Sequence, residues 1–400
     1  MACRMPEANA RTASRRAIPI GIVEAAVRHE MSRPPDLATL FSMVKASGSF
    51  DYLDKTPPKD QVAQYLRLSE HHDLPILAGG WWYTLGRDEA LLEENLRIGA
   101  TLGSLVHNVQ VMMDHAEGRL VEDTEVADAY LWAYDIGASL GCMPTFEVHI
   151  NMWSEDFRRV ARVAALVETR GIPFRLTLDH SHVIFKMDNA RELGVFGLDT
   201  AVAAGELVLD PFVPESICQQ WIRAGWVGHC HARSTAPNNP RNVMAAHASL
   251  DTLPSSRHPR DLVGRGVQYP FIEPRPGEWH APWKAADLEP WKEVVRQLAE
   301  YHRSTADSPL QLVSTEFIPF TDYGQGAGYS LFDQSIACAD WLRRTFDPPD
   351  EARRAGESSH ENGQVPVSSL TGHELAVGTG DQAAAAGSRT HRTGVVTHDG

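Results

Sequence analysis

Thr145-Phe146-Glu147-Val148-His149 starts in β-prone apolar sequence and finishes on a carboxylate and an imidazole. The same arrangement recurs along the chain. It appears in Arg175-Leu176-Thr177-Leu178-Asp179-His180-Ser181-His182, in Trp226-Val227-Gly228-His229-Cys230-His231-Ala232-Arg233 and in Leu312-Val313-Ser314-Thr315-Glu316-Phe317. Each run reads as a buried strand that ends on metal-type or acid/base side chains. In a parallel barrel the C-terminal strand ends converge on one mouth, so residues far apart in sequence meet there.

Working outward, strand-like and helix-like segments alternate from about residue 18 to 346. Strands are predicted at 18–26, 50–53, 75–83, 105–111, 145–150, 174–178, 226–232 and 311–317. Helical patterns are predicted at 37–46, 59–72, 89–101, 125–140, 155–169, 214–224, 290–301 and 331–345. The fifth helix shows Phe157, Val160, Ala161, Ala164 and Val167 on one stripe, with Ser154 and an acidic turn before it and Gly171 after it. Strands alternating with helices imply parallel βαβ units, and eight pairs close a barrel. The expected fold class is therefore α/β, a (β/α)₈ TIM barrel spanning 18–348. Residues 1–17 read as a flexible N-terminus. A long loop at 235–288, rich in Pro, Arg, His and Trp, interrupts the rhythm after the seventh strand and is expected to cover substrate. Residues 349–400 are rich in Gly, Ser, Ala and Thr without apolar period and read as a disordered tail.

Composition bounds the function. The chain has 400 residues, 43% of them apolar, enough for one barrel of about 250 residues with insertions. The formal net charge of −15 argues against a nucleic-acid partner, whose phosphates need Lys/Arg clusters. No apolar run approaches the roughly 18 residues of a membrane span, so no membrane partner is expected. Cys3, Cys142, Cys218, Cys230 and Cys338 are scattered without CxxC pairing, which fits a reducing cytoplasmic compartment. The sequence leaves a homo-oligomer open.

Four candidate metal ligands stand out: Glu147, Asp179, Glu316 and one histidine of the His229/His231 pair. A charge in an otherwise apolar strand is expensive unless it is engaged, and carboxylates with one imidazole suit a hard or borderline divalent ion. Glu147 and Glu316 are also the candidate catalytic acid/base groups. His149, sharing a face with Glu147, is a candidate for substrate binding or proton movement, and His182, His229, Arg233 and Trp81 are further candidate substrate contacts. Trp82 and Trp153 are aromatic candidates for stacking on a ligand. Taken singly, each has a bland reading: a strand-end salt bridge, a capping Asp, a satisfied core histidine or a core aromatic. Their ordered recurrence on four strand ends favours the site.

These residues resemble the pattern of the xylose-isomerase-like (β/α)₈ superfamily of sugar and sugar-phosphate isomerases and epimerases, which includes hydroxypyruvate isomerases, ketose 3-epimerases and inosose dehydratases. The resemblance implies one divalent ion, Mn²⁺, Mg²⁺ or Co²⁺ with Zn²⁺ as an alternative, held by Glu147, Asp179, His231 and Glu316. It also implies that His182 and Arg233 contact a small polyhydroxylated substrate. His231 is preferred to His229 as the ligand because His229-Cys230-His231 is similar to a His-x-His strand end whose second position ligates. The expected reaction is proton abstraction next to a carbonyl through an enediolate, as in an isomerase or epimerase of carbohydrate metabolism. The alternatives are a lyase or dehydratase acting on a keto sugar or keto-inositol, and a non-catalytic ligand-binding barrel. The 235–288 insertion departs from the small epimerases. The related endonuclease IV-like branch, with its three zinc ions, is disfavoured because 75–83 has no histidine.

Overall fold

The computed structural model describes residues 17–28, 34–244 and 262–348. Expectations about residues 1–16, the 349–400 tail and the 245–261 part of the insertion lie outside the described residues.

Eight strands are present: β1 (Ile20–Val23), β2 (Tyr52–Asp54), β3 (Ile76–Tyr83), β4 (Val106–Val111), β5 (Met143–Glu147), β6 (Leu176–Leu178), β7 (Val227–Ala232) and β8 (Leu312–Thr315). Each pairs in parallel with its sequence neighbour. β1 also pairs in parallel with β8, through Ile20↔Val313, Gly21↔Ser314 and Ile22↔Thr315, which closes the barrel. The expected (β/α)₈ architecture is present. Closure is tight at Gly21, where a Cβ would lie 2.3 Å from the Tyr52 ring. Only glycine lets that ring enter the interior, where its hydroxyl lies 2.8 Å from Ser314 Oγ.

The helices are α1 (Glu24–Arg28), α2 (Leu37–Ser47), α3 (Val62–His72), α4 (Glu89–Leu102), α5 (Asp123–Leu140), α6 (Arg158–Glu168), α7 (Ser181–Ile184), α8 (Ala190–Leu193), α9 (Leu198–Ala203), α10 (Ile217–Arg223), α11 (Glu289–Ser304) and α12 (Leu331–Phe346). Local chemistry sets several ends. Asp36 caps α2 by accepting from the Thr39 amide at 2.8 Å, and Ser330 caps α12 by accepting from the Asp333 amide at 2.9 Å. Glu122 and Glu125 form a reciprocal capping box on α5. The α11 face of Trp291, Val294, Val295, Leu298 and Ala299 is buried, the 3.6-residue stripe of a helix laid on a sheet.

The sequence reading departs from the structure in places that matter for the site. β1 stops at Val23 and Glu24 opens α1, so the predicted 18–26 strand is too long. β5 ends at Glu147, and Val148 to Met152 form the loop carrying His149. Helix α6 starts at Arg158, not at 155, and its buried stripe contains Val163 in place of the exposed Ala161. Ser154 therefore caps no helix: its hydroxyl donates to the Glu147 carbonyl at 2.6 Å and accepts from the His149 amide at 3.1 Å. Trp153 is buried in the apolar core and is not available for stacking on a substrate. Described cysteines Cys142, Cys218, Cys230 and Cys338 are free and buried. No helix among the described residues is long and apolar enough to cross a membrane.

Candidate active site and metal centre

The four expected ligands all lie at or just beyond the C-terminal ends of the strands. Glu147 closes β5, Asp179 and Glu316 follow β6 and β8, and His231 lies one residue before the end of β7. One atom each from Glu147, His231 and Glu316 form a buried group whose members all lie within 4.8 Å of one another. His231 Nδ1 is 2.9 Å from Glu147 Oε1 and 2.9 Å from Glu316 Oε2. The second Glu147 oxygen accepts from Asn108 Nδ2 at 2.7 Å. Gly80 makes room for this arrangement, because a Cβ there would be 2.9 Å from Asn108 Cβ.

Asp179 stands apart from that group. Its Oδ1 accepts from the Ser181 amide at 3.0 Å, while Oδ2 lies 3.0 Å from His182 Nε2 and 3.2 Å from Arg233 Nη1. The same guanidinium reaches Glu316 Oε2 through Nη2 at 2.6 Å and lies over the Tyr323 ring at 4.1 Å. Arg233 thus stands between the fourth expected ligand and the other three.

The electrostatics follow from burial and these contacts. Burial would lower the His231 pKa, but Glu316 and Glu147 outweigh it and hold the imidazole well above its ordinary value. Asp179 is held well below the usual carboxylate range: burial opposes this, but Arg233 and His182 outweigh it. His182 and His149 are pushed down, mainly by burial, to about 4 and about 3, so both rings are neutral at pH 7. The Ile150 carbonyl can only accept, so His149 Nδ1, 2.5 Å away, carries the proton. His149 Nε2 is then left to accept from the Tyr323 hydroxyl at 3.0 Å.

Above this layer opens a cleft of about 410 Å³. Of the expected site residues, Trp81, His149, His231 and Glu316 line it. Glu147, Asp179, His182 and Arg233 are buried behind the wall, with the His182 ring 4.1 Å from that of His149. His229 is deeper in the barrel interior, its Nε2 3.0 Å from Ser314 Oγ and its Nδ1 3.4 Å from Thr177 Oγ1. It has no surface in the cleft. Of the insertion, the described residues 235–244 and 262–288 lie outside the cleft lining. They brace the loop after β8: Gln268 Oε1 accepts from the Ile318 amide at 2.9 Å, and the Val267 amide donates to the Asp322 carbonyl at 3.0 Å.

Sequence reading missed several residues. Asp54 closes β2, lines the cleft and lies 3.4 Å from His231 Nε2, while also accepting from Ser314 Oγ at 2.6 Å. With His229 and His231 it forms a second buried group whose potential ligand atoms all lie within 4.8 Å of one another. Asn108 and Tyr323 were also missed, as was Glu24, which lines the cleft and pairs with Lys55 at 2.9 Å. Asp54 had a signal, a carboxylate ending the Tyr52-Leu53-Asp54 run, but three residues are too short to show a pattern.

Two carboxylate oxygens and one imidazole nitrogen converge in a buried space, where a cation would neutralise both carboxylates. The chemistry fits a hard or borderline divalent ion held by Glu147, His231 and Glu316.

No family model matches the chain, and no curated protein matches it. Among solved structures it is similar to D-psicose 3-epimerase from Clostridium cellulolyticum H10, at 12% identity and TM-score 0.46, covering 82% of this chain and 99% of that one. It is similar to an L-ribulose 3-epimerase at 12% identity and TM-score 0.46, covering 87% and 100%. It is also similar to a probable 3-DHS dehydratase from Bacillus anthracis at 11% identity and TM-score 0.43, covering 83% and 100%.

Proposed function

We propose that the protein is a divalent-metal-dependent isomerase or epimerase of a small polyhydroxylated carbonyl compound. The observation that carries this reading is the convergence of Glu147, His231 and Glu316 within 4.8 Å of one another at the mouth of a barrel, with His231 and Glu316 open to the cleft. Glu147, His231 and Glu316 would hold the ion, and Asp179 would join them if Arg233 moved aside. A bound divalent ion supplies Lewis acidity that makes a C–H beside a carbonyl easier to ionise.

Glu316, on the cleft wall, takes the proton from the substrate carbon. Delivering it to the neighbouring carbon of the enediolate gives aldose–ketose isomerisation, and return to the original carbon from a second group on the other face gives epimerisation. Glu147 is the candidate for that second group. Arg233 holds Glu316 and Asp179 in place, and Asp54 lies 3.4 Å from the far nitrogen of His231. Trp81 offers an aromatic face to the substrate, while His182 acts on it through His149. The test is metal analysis of the purified chain followed by a screen of keto sugars in D₂O. One equivalent of divalent ion and solvent deuterium at the carbon next to the carbonyl are expected. Bound metal with no exchange on any keto sugar would instead favour a barrel that binds ligand without turnover.

A dehydratase is the second reading, favoured by the Tyr323–His149 hydrogen bond on the cleft wall. A phenol and a neutral imidazole beside the abstracted proton are suited to assist departure of a β-hydroxyl. Loss of water from a product that has taken up deuterium would decide for it.

A further inference from the structure

The cleft has an inner and an outer part of different character. The inner part carries Asp54, His231 and Glu316. The outer part is aromatic: Trp82 and Phe320 line the same cleft yet are 44% and 54% exposed. The Trp81 and Trp82 rings are stacked, with centroids 4.3 Å apart and planes 19° from parallel. Neighbouring residues of a strand ordinarily point to opposite faces, so this stacking at the end of β3 builds one broad apolar platform. Isolated exposed aromatics are ordinary, but a platform continuous with a cleft that reaches acid/base carboxylates offers area to a ligand.

Charge narrows the ligand further. Glu24, Asp54, Glu316 and Asp322 line the cleft, and among the described lining residues Lys55 is the one lysine or arginine. Lys55 Nζ is engaged by Glu24 at 2.9 Å. Arg233 and Arg265 are buried, held by Asp179 with Glu316 and by Glu155 with Glu192. A phosphate or carboxylate would enter a cleft that repels it and would find no unengaged guanidinium among the described lining residues.

We propose that the outer cleft is a binding subsite for an aromatic ring attached to the substrate, so that the ligand is an uncharged aryl-substituted polyhydroxy compound and not a sugar phosphate. The proposal rests on the reading of the inner cleft as a site for a polyhydroxy compound. Its test is equilibrium binding by calorimetry, using the full chain loaded with Mn²⁺ and three probes: D-glucose, phenyl β-D-glucopyranoside and D-glucose 6-phosphate. The phenyl glucoside is expected to bind about tenfold more tightly than glucose, from stacking on the platform. The phosphate ester is expected to bind no better than glucose. Trp82→Ala and Phe320→Ala should each remove most of the phenyl advantage with the circular-dichroism spectrum unchanged, and Phe320→Ala should leave glucose affinity unchanged. Equal affinities for glucose and the phenyl glucoside would overturn the subsite, as would tighter binding of the phosphate ester. Absence of phenyl glucoside binding, or an aryl advantage that survives both substitutions, would overturn it too. The readout needs no turnover. Failure of deuterium exchange alongside an intact aryl preference would therefore count against the proposed reaction and not against the subsite.

Discussion

Glu316→Gln is expected to reduce solvent-deuterium exchange on a responsive keto sugar by about 10²–10⁴-fold, the usual loss when a general base is removed. An amide keeps an oxygen with which to meet a cation but cannot accept a proton. Metal content should therefore fall far less than exchange. Of the two candidate bases Glu316 is the one on the cleft wall, so its loss acts on the proton transfer itself. Glu147→Gln tests whether a second base takes part. Its carboxylate is fully buried and accepts from Asn108 at 2.7 Å. If Glu147 returns the proton on the opposite face, the substitution stops epimer formation. If Glu316 shuttles alone, Glu147→Gln leaves aldose–ketose exchange largely in place. Near-normal exchange in both variants would make the carboxylates structural, and His149, hydrogen-bonded to Tyr323, would be the next group to test.

The barrel was legible in the sequence because its signal is repeated. Eight apolar runs alternating with helical stripes need no single accurate boundary, and β7 and β8 differ from expectation by only one or two residues at an end. Boundaries failed where the structure obeys the site and not the period. The run after Glu147 looks like continuing strand, but Ser154 folds back to the Glu147 carbonyl and bends the chain. The helices α7 to α9 span four to six residues each, too few for a hydrophobic period to declare itself. Among site residues, Glu147, His231 and Glu316 could be singled out because each is a costly polar group ending an apolar run. Asp54, Asn108 and Tyr323 sit in short or mixed segments, and only the closure of the barrel brings them beside His231, Glu147 and Arg233. The positions of Arg233 and His229 could not be read either, since alternation fixes the face of a strand and not the depth in the barrel.

Arg265→Ala is expected to destabilise the protein by roughly 3–5 kcal/mol, the scale seen when one partner is removed from a buried ion cluster. The side chain is wholly buried. Its Nη1 donates to Glu155 Oε2 at 3.2 Å and to Asn151 Oδ1 at 3.3 Å, and its Nε donates to Glu192 Oε2 at 3.1 Å. Lys186 Nζ completes the cluster at 3.0 Å from Glu155 and 3.4 Å from Glu192. These contacts tie the insertion to the loops after β5 and β6, and Asn151 carries the tie to the cleft wall. Without the guanidinium, two buried carboxylates share one ammonium, and one charge is left uncompensated. Burial raises the pKa values of Glu155 and Glu192, but Arg265 and Lys186 outweigh it and hold both below the ordinary range. A depressed folded-state pKa contributes stability that is present above the unfolded value, about 4.3 for glutamate, and is lost as pH falls below it. The gap between wild type and variant should accordingly be full at pH 7 and shrink as the pH is lowered through 4. Urea unfolding midpoints at unchanged slope measure it. Glu192→Gln placed on Arg265→Ala should recover part of the loss, because it removes the carboxylate left without a partner. A loss below about 1 kcal/mol at pH 7, or a gap that does not narrow in acid, would mean that the cluster is solvated and that the insertion is held on the barrel by its apolar and backbone contacts instead.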